Sequence, residues 1–389
     1  MRKIMVAVHT YYPQKNGVQT VTEYIAEGLQ KKGNDVLVVT RLIEGTIRSE
    51  EYNGVKIERI HVNDPYYRIF TGDIKKYHDI IKDFCPDVMI IVCVETWTFD
   101  WILPILKKTS IKKILYTHGY PAYESDYHIL DMVRKGKIKK SFYKLECKLY
   151  YWIVKRASRK FDIITYLSKY DKAYLFAREH GLKNSIILGN AVDNKFWEYN
   201  YCKNEKNFYN NKEIIFLCVS NYIESKNQEM LLKAFYRLDS NNIKLILVGE
   251  RKSEYYYKLI NNKKELEKKY GNKNVNILYG LSREKVIELY RHVDVFIMPS
   301  KLEAYPVVIC EAAASGIAVI TTDVGNVREF PGIIIVQNEE EMRNQMEMLI
   351  KKPEIRNKKG ILLRQYAEEE CKIENKIEKL QNEIDKLFK

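Results

Sequence analysis

Two carboxylates and a set of open amides lie close together in the stretch Asp294–Asp323, DVFIMPSKLEAYPVVICEAAASGIAVITTD. Glu311 is the only charged residue between Ala304 and Ile320. A carboxylate in so apolar a run needs hydrogen-bond donors or a cation, because an unpaired buried charge is costly. Glu303 falls in the turn leading into the same segment. Tyr305, just before Pro306, has no short oxygen with which to cap the free N–H groups of Val307 and Val308. A helix start left open in this way attracts a phosphate. One strand-turn-helix thus offers amides for an anion, a carboxylate at its mouth and a second carboxylate behind it. The same residues also fit a packed core, in which Glu311 pairs with a Lys or Arg and water caps the helix.

The elements that must hold these groups follow from the pattern. Val295–Met298 reads as a buried strand closed by Pro299-Ser300, and Pro306 opens a helical pattern to Ser315. Proline suits the first helical position, where its missing N–H has no partner to lose. Gly316 ends the helix, and Ile317–Thr321 reads as the next buried strand. Upstream, Cys218–Asn227 follows a strand and precedes a helix, and it carries Asn221 and Lys226. Lys226 suits a diphosphate as a point charge. Without an anion, a lysine at a helix start opposes the dipole. In the first half, Gly17 follows Pro13–Asn16 and opens a helix, where a glycine lets the backbone approach a ligand. His118 ends a strand as Thr117-His118-Gly119. Taken singly, each of these is equally a loop glycine, a packed histidine or a solvated lysine.

Short apolar runs alternate with helical patterns almost throughout. Strands are expected at Ile4–Val8, Val36–Thr40, Val55–Ile60, Val88–Val92, Lys113–Thr117, Ile163–Tyr166 and Ser185–Leu188, with helices at Val18–Lys31, Ile74–Phe84, Thr98–Lys108 and Ile138–Arg156. A polar, unpatterned run reaches to about Lys212. The alternation then restarts with Ile214–Val219, Lys244–Val248 and Val275–Leu278 as strands and Asn227–Leu238, Glu254–Tyr270 and Arg283–His292 as helices. This is the signature of two α/β halves with doubly wound parallel sheets. Ligands of such sheets bind beyond the carboxyl ends of the strands. The tail from Lys358 is helical, with an apolar series at Ile373, Ile377, Leu380, Ile384 and Leu387.

Composition narrows the function. The 389 residues suffice for two domains, each with its own core. Seven cysteines without a C-x-x-C point to reduced thiols in a cytosol. The opening MRKIMVAVHTYYP is too short in apolar residues for a signal peptide, and no run approaches the ~18 of a membrane span. The net charge of +14 fits nucleic acid, an anionic membrane face or anionic small substrates. No helix-turn-helix, zinc-finger or RNP signature is present, which argues against nucleic acid. G-x-G-x-x-G, G-x-x-x-x-G-K-[ST], H-E-x-x-H and D-x-D are all missing, so a nicotinamide enzyme, a P-loop NTPase and a metal-dependent transferase lose their usual marks. Residues 134–160 hold eleven Lys or Arg and one acid, Glu146, around Ile138, Phe142, Leu145, Leu149 and Trp152 at helical spacing. That pattern fits a helix with its apolar face in the core, or one lying on an anionic membrane with Tyr150, Tyr151 and Trp152 at headgroup level. Tyr120, Tyr123 and Tyr127 after His118 offer an aromatic wall on which a ligand can stack.

Glu303 and Glu311, with seven residues between them and a following Ala-Ala-Ala-Ser-Gly, resemble the paired-glutamate motif of retaining glycosyltransferases of family 4, which have the GT-B fold. The Gly17 turn, His118, the linker and Lys226 occur in the family's order. The resemblance implies two Rossmann-like domains, 1–192 on the acceptor side and 193–372 binding the nucleotide sugar, with a helix at 373–389 crossing back onto the first. It implies a nucleotide-diphosphate sugar held on closure of the domains. Lys226, Val307 and Val308 would take the diphosphate, Glu311 the ribose, Glu303 the sugar hydroxyls and His118 the transferred sugar, with Gly17 and Asn221 also near the donor. The family places a glycine where Asn16 stands and an arginine where Asn221 stands. It commonly has glycines where Ala304 and Pro306 stand. Leu247-Val248-Gly249-Glu250 and Tyr279-Gly280-Leu281 correspond to the family's base pocket, and Gly325 with Glu329 to a further turn. The expected activity is metal-independent retaining hexosyl transfer, without a cofactor, to a glycan or lipid-linked oligosaccharide of cell-surface polysaccharide, on the cytoplasmic side. A sugar-nucleotide epimerase and a non-catalytic nucleotide- or carbohydrate-binding protein share the architecture.

Overall fold

The computed structural model describes residues 1–14, 17–63, 69–107, 109–120, 122–123, 133, 138–198 and 213–389. Two compact units emerge: Met1–Gly189 together with Lys376–Lys389, and Asn190–Asn375. The boundaries expected at 192/193 and 372/373 lie a few residues from these.

In the first unit, β1 (Lys3–Ala7), β2 (Asp35–Arg41), β3 (Ser49–Tyr52), β4 (Val55–Ile60), β5 (Val88–Val92), β6 (Lys112–Tyr116), β7 (Ile163–Tyr166) and β8 (Ser185–Ile187) form one sheet, ordered β3-β4-β2-β1-β5-β6-β7-β8. Every pairing is parallel except β3 with β4. The helices are α1 (Gly17–Lys31), α2 (Ile74–Phe84), α3 (Trp97–Ile102), α4 (Ile138–Ser158) and α5 (Lys172–Glu179). All five residues of β5 are buried, as a strand covered on both faces requires. The expected helix Thr98–Lys108 is only six residues long, Trp97–Ile102, and its indoles pack against Tyr77.

In the second unit, β9 (Ile214–Val219), β10 (Ile243–Gly249), β11 (Asn274–Tyr279), β12 (Val295–Met298), β13 (Ala318–Thr322) and β14 (Ile334–Val336) run parallel in the order β11-β10-β9-β12-β13-β14. The helices are α6 (Gln228–Tyr236), α7 (Glu254–Tyr270), α8 (Arg283–His292), α9 (Val307–Ala314), α10 (Glu339–Lys351) and α11 (Pro353–Glu370). No helix of the described residues is long and apolar enough to cross a membrane.

The tail is two helices, because the chain breaks at Cys371 and Lys372, where the Val192 N–H bonds the Cys371 carbonyl at 2.9 Å. The last helix, α12 (Ile373–Lys386), joins the first unit from Lys376 onward. Ile377, Leu380 and Ile384 are buried, each worth about 1.5–3 kcal/mol of transfer free energy. Asn34 Nδ2 reaches Gln381 Oε1 at 2.8 Å, and Arg2 Nε reaches Asp385 Oδ1 at 3.3 Å. The helix lies so close to α1 that a Cβ on Gly28 would stand 2.5 Å from Ile377 Cγ1. Gly28→Val is therefore expected to destabilise the protein by about 1–3 kcal/mol through overpacking. Adding Ile377→Ala should recover part of that loss in chemical denaturation; strictly additive losses would place the clash elsewhere.

Candidate active site

Three loops meet at the carboxyl edge of the second sheet. The loop after β9 carries Asn221 and ends in a 3-10 turn, Glu224–Lys226. Asn227 follows in the left-handed region at φ 52, and α6 starts at Gln228. Lys226 thus stands one turn ahead of the helix expected to begin beside it. Buried Gln228 ties the loop down, its Nε2 donating to Ser220 Oγ at 2.7 Å and to the Asn221 carbonyl at 3.0 Å. The Asn221 side chain is exposed.

The loop after β12 carries Glu303. Its Lys301 N–H donates to the Ser225 carbonyl at 2.7 Å, and Lys226 Nζ donates to Glu303 Oε1 at 2.6 Å. Both side chains of this ion pair are largely buried. A third loop presses on the same backbone: Gly325, at φ +57, leaves room where a Cβ would stand 2.7 Å from the Ala304 carbonyl oxygen. Asn190 Nδ2 donates to the Tyr305 carbonyl at 3.2 Å. Pro306 is extended, at φ −72 and ψ 109, so it precedes the helix instead of opening it, and α9 begins at Val307. A proline fits there because the position needs no N–H and its φ is near the ring's fixed value. No side chain caps the helix, and Val307 and Val308 lead its first turn, partly exposed.

Glu311 points from α9 into the core with 3 % of its side chain exposed. Arg283 Nη2, from the first turn of α8, donates to Glu311 Oε1 at 2.5 Å. The Arg283 guanidinium also lies 5.1 Å from the Phe196 ring centroid. Glu311 Oε2 is buried, and the Tyr290 hydroxyl is a hydrogen-bonding neighbour of the same carboxylate. The buried Tyr290 hydroxyl is held protonated well above the ordinary tyrosine range, by burial and by the neighbouring Glu311 charge. The cation that the apolar run demanded is therefore Arg283, and it satisfies one oxygen of the two. Elsewhere at this edge, Tyr222 donates to the carbonyls of Leu247 and Leu278, drawing together the ends of β10 and β11. Asn326 Nδ2 meets Glu329 Oε2 at 3.2 Å in the turn after β13. Among the described residues no three His, Cys, Asp or Glu side chains group so as to hold a metal ion.

In the first unit, Gly17 is the exposed first residue of α1, with nothing within 4 Å of a Cβ built on it. Lys15 and Asn16 lie outside the described residues. His118 follows β6, its ring 5.1 Å from that of Tyr116, and its Nε2 has no partner. Burial lowers its pKa to about 4, so it is a neutral imidazole at physiological pH. Beside it, Cys93 and Glu95 both occupy the left-handed region, at φ 66 and 59, a strained state for non-glycine residues that clusters at functional sites. Tyr120 and Tyr123 do not form an open wall. Both are buried in an aromatic cluster with Tyr151 and Phe176, because two tyrosines bury more area in a core than at a rim. Tyr127 lies outside the described residues. The spacing did not identify Arg283, Gln228 or the Cys93–Glu95 loop. Arg283 had a signal: a cation in the first turn of a helix, set against the dipole, the same feature that marked Lys226.

Two family descriptions match the chain: Glycosyltransferase Family 4 over residues 15–195 and Glycosyl transferases group 1 over residues 203–366. A relative from Saccharomyces cerevisiae, the phosphatidylinositol N-acetylglucosaminyltransferase GPI3 subunit, is 22 % identical over 82 % of this chain and 67 % of its own. Sucrose-phosphate synthase from Thermosynechococcus elongatus has a similar fold, with a TM-score of 0.74 at 15 % identity, covering 100 % of this chain and 99 % of that one. HepE from Anabaena, in complex with UDP and glucose, gives 0.71 at 13 % identity over 99 % and 100 %.

The Arg283–Glu311 pair is expected to be worth about 1–3 kcal/mol, the cost of leaving a buried carboxylate without its donor. Arg283→Leu should lose that stability in urea unfolding, and the loss should shrink once Glu311→Leu is also present. Full additivity would show the two side chains to be uncoupled. For His118, the unfolded chain titrates near 6.5 and the folded one near 4. Its contribution is whole above pH 6.5 and is lost as pH falls toward 4. His118→Gln should flatten the stability–pH curve in that window, and an unchanged slope would place the proton uptake elsewhere.

Proposed function

Since the chain belongs to the GT-B glycosyltransferases of the family 4 type, we propose that it moves a hexose-type sugar, with retention, from a nucleotide-diphosphate sugar to a hydroxyl of a glycan or lipid-linked oligosaccharide. The setting is cell-surface polysaccharide assembly on the cytoplasmic side of a membrane. The observation that carries this reading is the pair Lys226–Glu303 at 2.6 Å beside the uncapped start of α9. An arriving diphosphate gives Lys226 a new anion and leaves Glu303 free to accept hydrogen bonds from sugar hydroxyls. The N–H groups of Val307 and Val308 face the same phosphate. The second oxygen of Glu311, beside the Tyr290 hydroxyl, is the one a ribose hydroxyl would donate to. Asn221 stands where the family has an arginine and contributes no charge. In the first unit, neutral His118 exchanges hydrogen bonds with a hydroxyl of the transferred sugar, and Gly17 lets the backbone near the donor.

The chemistry is a one-face displacement. The bond from the anomeric carbon to the β-phosphate oxygen breaks, the bond to the acceptor oxygen forms, and the acceptor's proton passes to the leaving phosphate. The preorganised cation and amides stabilise the charge that develops there, usually the largest catalytic contribution. The donor is a substrate, and the reaction as proposed uses neither cofactor nor metal. HepE was solved with UDP and glucose, and the yeast relative's name specifies a phosphatidylinositol acceptor; these support a nucleotide sugar and a lipid-borne acceptor.

Thermal-shift screening against UDP, GDP and ADP sugars identifies the donor. With that donor, Glu303→Gln is expected to lower transfer by at least about a hundredfold, the scale of losing one transition-state contact. Activity within threefold of wild type would remove Glu303 from the site. Glu311→Gln should weaken donor affinity more than stability, whereas equal losses would make the Arg283 pair purely structural. NMR of the product's anomeric proton reports retention directly.

A further inference from the structure

Helix α4 carries two apolar stripes, and only one faces the core. Cys147, Tyr151 and Val154 are buried with Ser158 on one side. Of the three aromatics expected at headgroup level, Trp152 alone therefore faces outward, while Tyr150 and Tyr151 turn inward to hydrogen-bond. On the opposite side, Ile138, Phe142, Leu145, Leu149 and Trp152 recur every three or four residues, which stacks them on one face. All of them are exposed, Phe142 at 68 %, Leu149 at 58 % and Trp152 at 52 %, with Ile153 beside them. A contiguous apolar ridge left in water on a surface helix marks an interaction surface. Its flanks are basic: Lys139, Lys140, Lys148, Arg156, Arg159 and Lys160 are exposed. The Arg156 guanidinium lies 3.5 Å from the Trp152 ring centroid.

Charge decides what covers such a ridge. A second copy docking through the same face would set lysine against lysine, since a twofold interface brings each patch onto itself. An anionic bilayer supplies the opposite sign and a boundary into which phenylalanine, leucine and tryptophan insert to shallow depth. The 21-residue helix is about 30 Å long and lies along the surface instead of crossing it.

The docked side of the helix reaches the strained loop of the first unit. Tyr150 Oη accepts from the Glu95 N–H at 2.8 Å and donates to Asp100 Oδ1 at 2.9 Å. Tyr151 Oη donates to Glu95 Oε1 at 2.6 Å. That loop begins at Cys93, whose thiol bonds the His118 backbone. We propose that the ridge Phe142–Ile153 seats the protein on an anionic bilayer, and that Tyr150 and Tyr151 thereby fix the edge holding Glu95 and His118 at the headgroup level, where the hydroxyl of a lipid-linked acceptor emerges. This deepens the acceptor reading above and rests on it for the identity of the acceptor alone.

The test is co-sedimentation of the full chain with phosphatidylcholine vesicles, with and without phosphatidylglycerol, at low and high salt. Wild type should sediment with the anionic vesicles only, and less at high salt. Leu149→Ser/Trp152→Ser, with a melting temperature within a few degrees of wild type, should lower the bound fraction about tenfold. Lys139→Gln/Lys140→Gln/Lys148→Gln should weaken binding and reduce its salt dependence. Independently of any variant, acyl-chain-brominated lipids should quench wild-type tryptophan emission. Wild type that stays in the supernatant, variants that sediment equally well, or unquenched emission would each overturn the proposal. So would self-association without vesicles that Leu149→Ser abolishes, which would assign the ridge to a second copy. No sugar enters these measurements, so a protein that binds vesicles but transfers nothing supports the membrane face while overturning the function proposed for the site.

Discussion

Charge matching at the carboxyl edge of the second sheet organises the whole candidate site. Lys226 after β9 meets Glu303 after β12, and Arg283 after β11 meets Glu311 on α9. Three strand exits are thereby cross-linked by two ion pairs, in a region where desolvation makes an unmatched charge expensive. The pairs are not equivalent. In one, both partners are largely but not fully buried, so each keeps some contact with solvent. In the other, the carboxylate is deep, the guanidinium is the more exposed partner, and the Tyr290 hydroxyl is a further neighbour. In the function proposed above, the first pair is the one that rearranges around a phosphate and the second the one that stays.

The first unit shows another kind of constraint. Its loop Cys93–Glu95 carries backbone strain at both ends, and two tyrosine hydroxyls from α4 tie Glu95 down. A loop forced into the left-handed region persists only when its surroundings over-determine it. Here the determining contacts come from a helix whose other side is apolar and open to solvent. The contacts that hold this loop and the exposed apolar ridge therefore belong to one helix.

Much of this was legible in the residue order, because parallel strands buried on both faces write themselves as apolar runs, and Glu311 could not sit in its run without purpose. What escaped had physical reasons. The partner of Glu311 lies on a different element, and linear spacing carries no information about which cation arrives. Pro306 reads as the first helical residue but stands one position before it, because proline fits both sides of a helix start. Tyr120 and Tyr123 read as a ligand wall by residue type, yet aromatic area is worth more in a core. Helix α4 is the sharpest case: with apolar residues on two opposite faces, periodicity alone cannot say which side points inward. Only the packing of Cys147, Tyr151 and Val154 decides it.

The seat of the last helix against Gly28 has a consequence for biogenesis. Residues 376–389 complete the first sheet's helical cover, yet the ribosome makes them after the entire second unit. During synthesis the first unit must wait, with the groove for Ile377, Leu380 and Ile384 unfilled, until the last residues of the chain have left the ribosome. Vectorial folding is thus inverted for this chain: the half that is translated first is the half that finishes last.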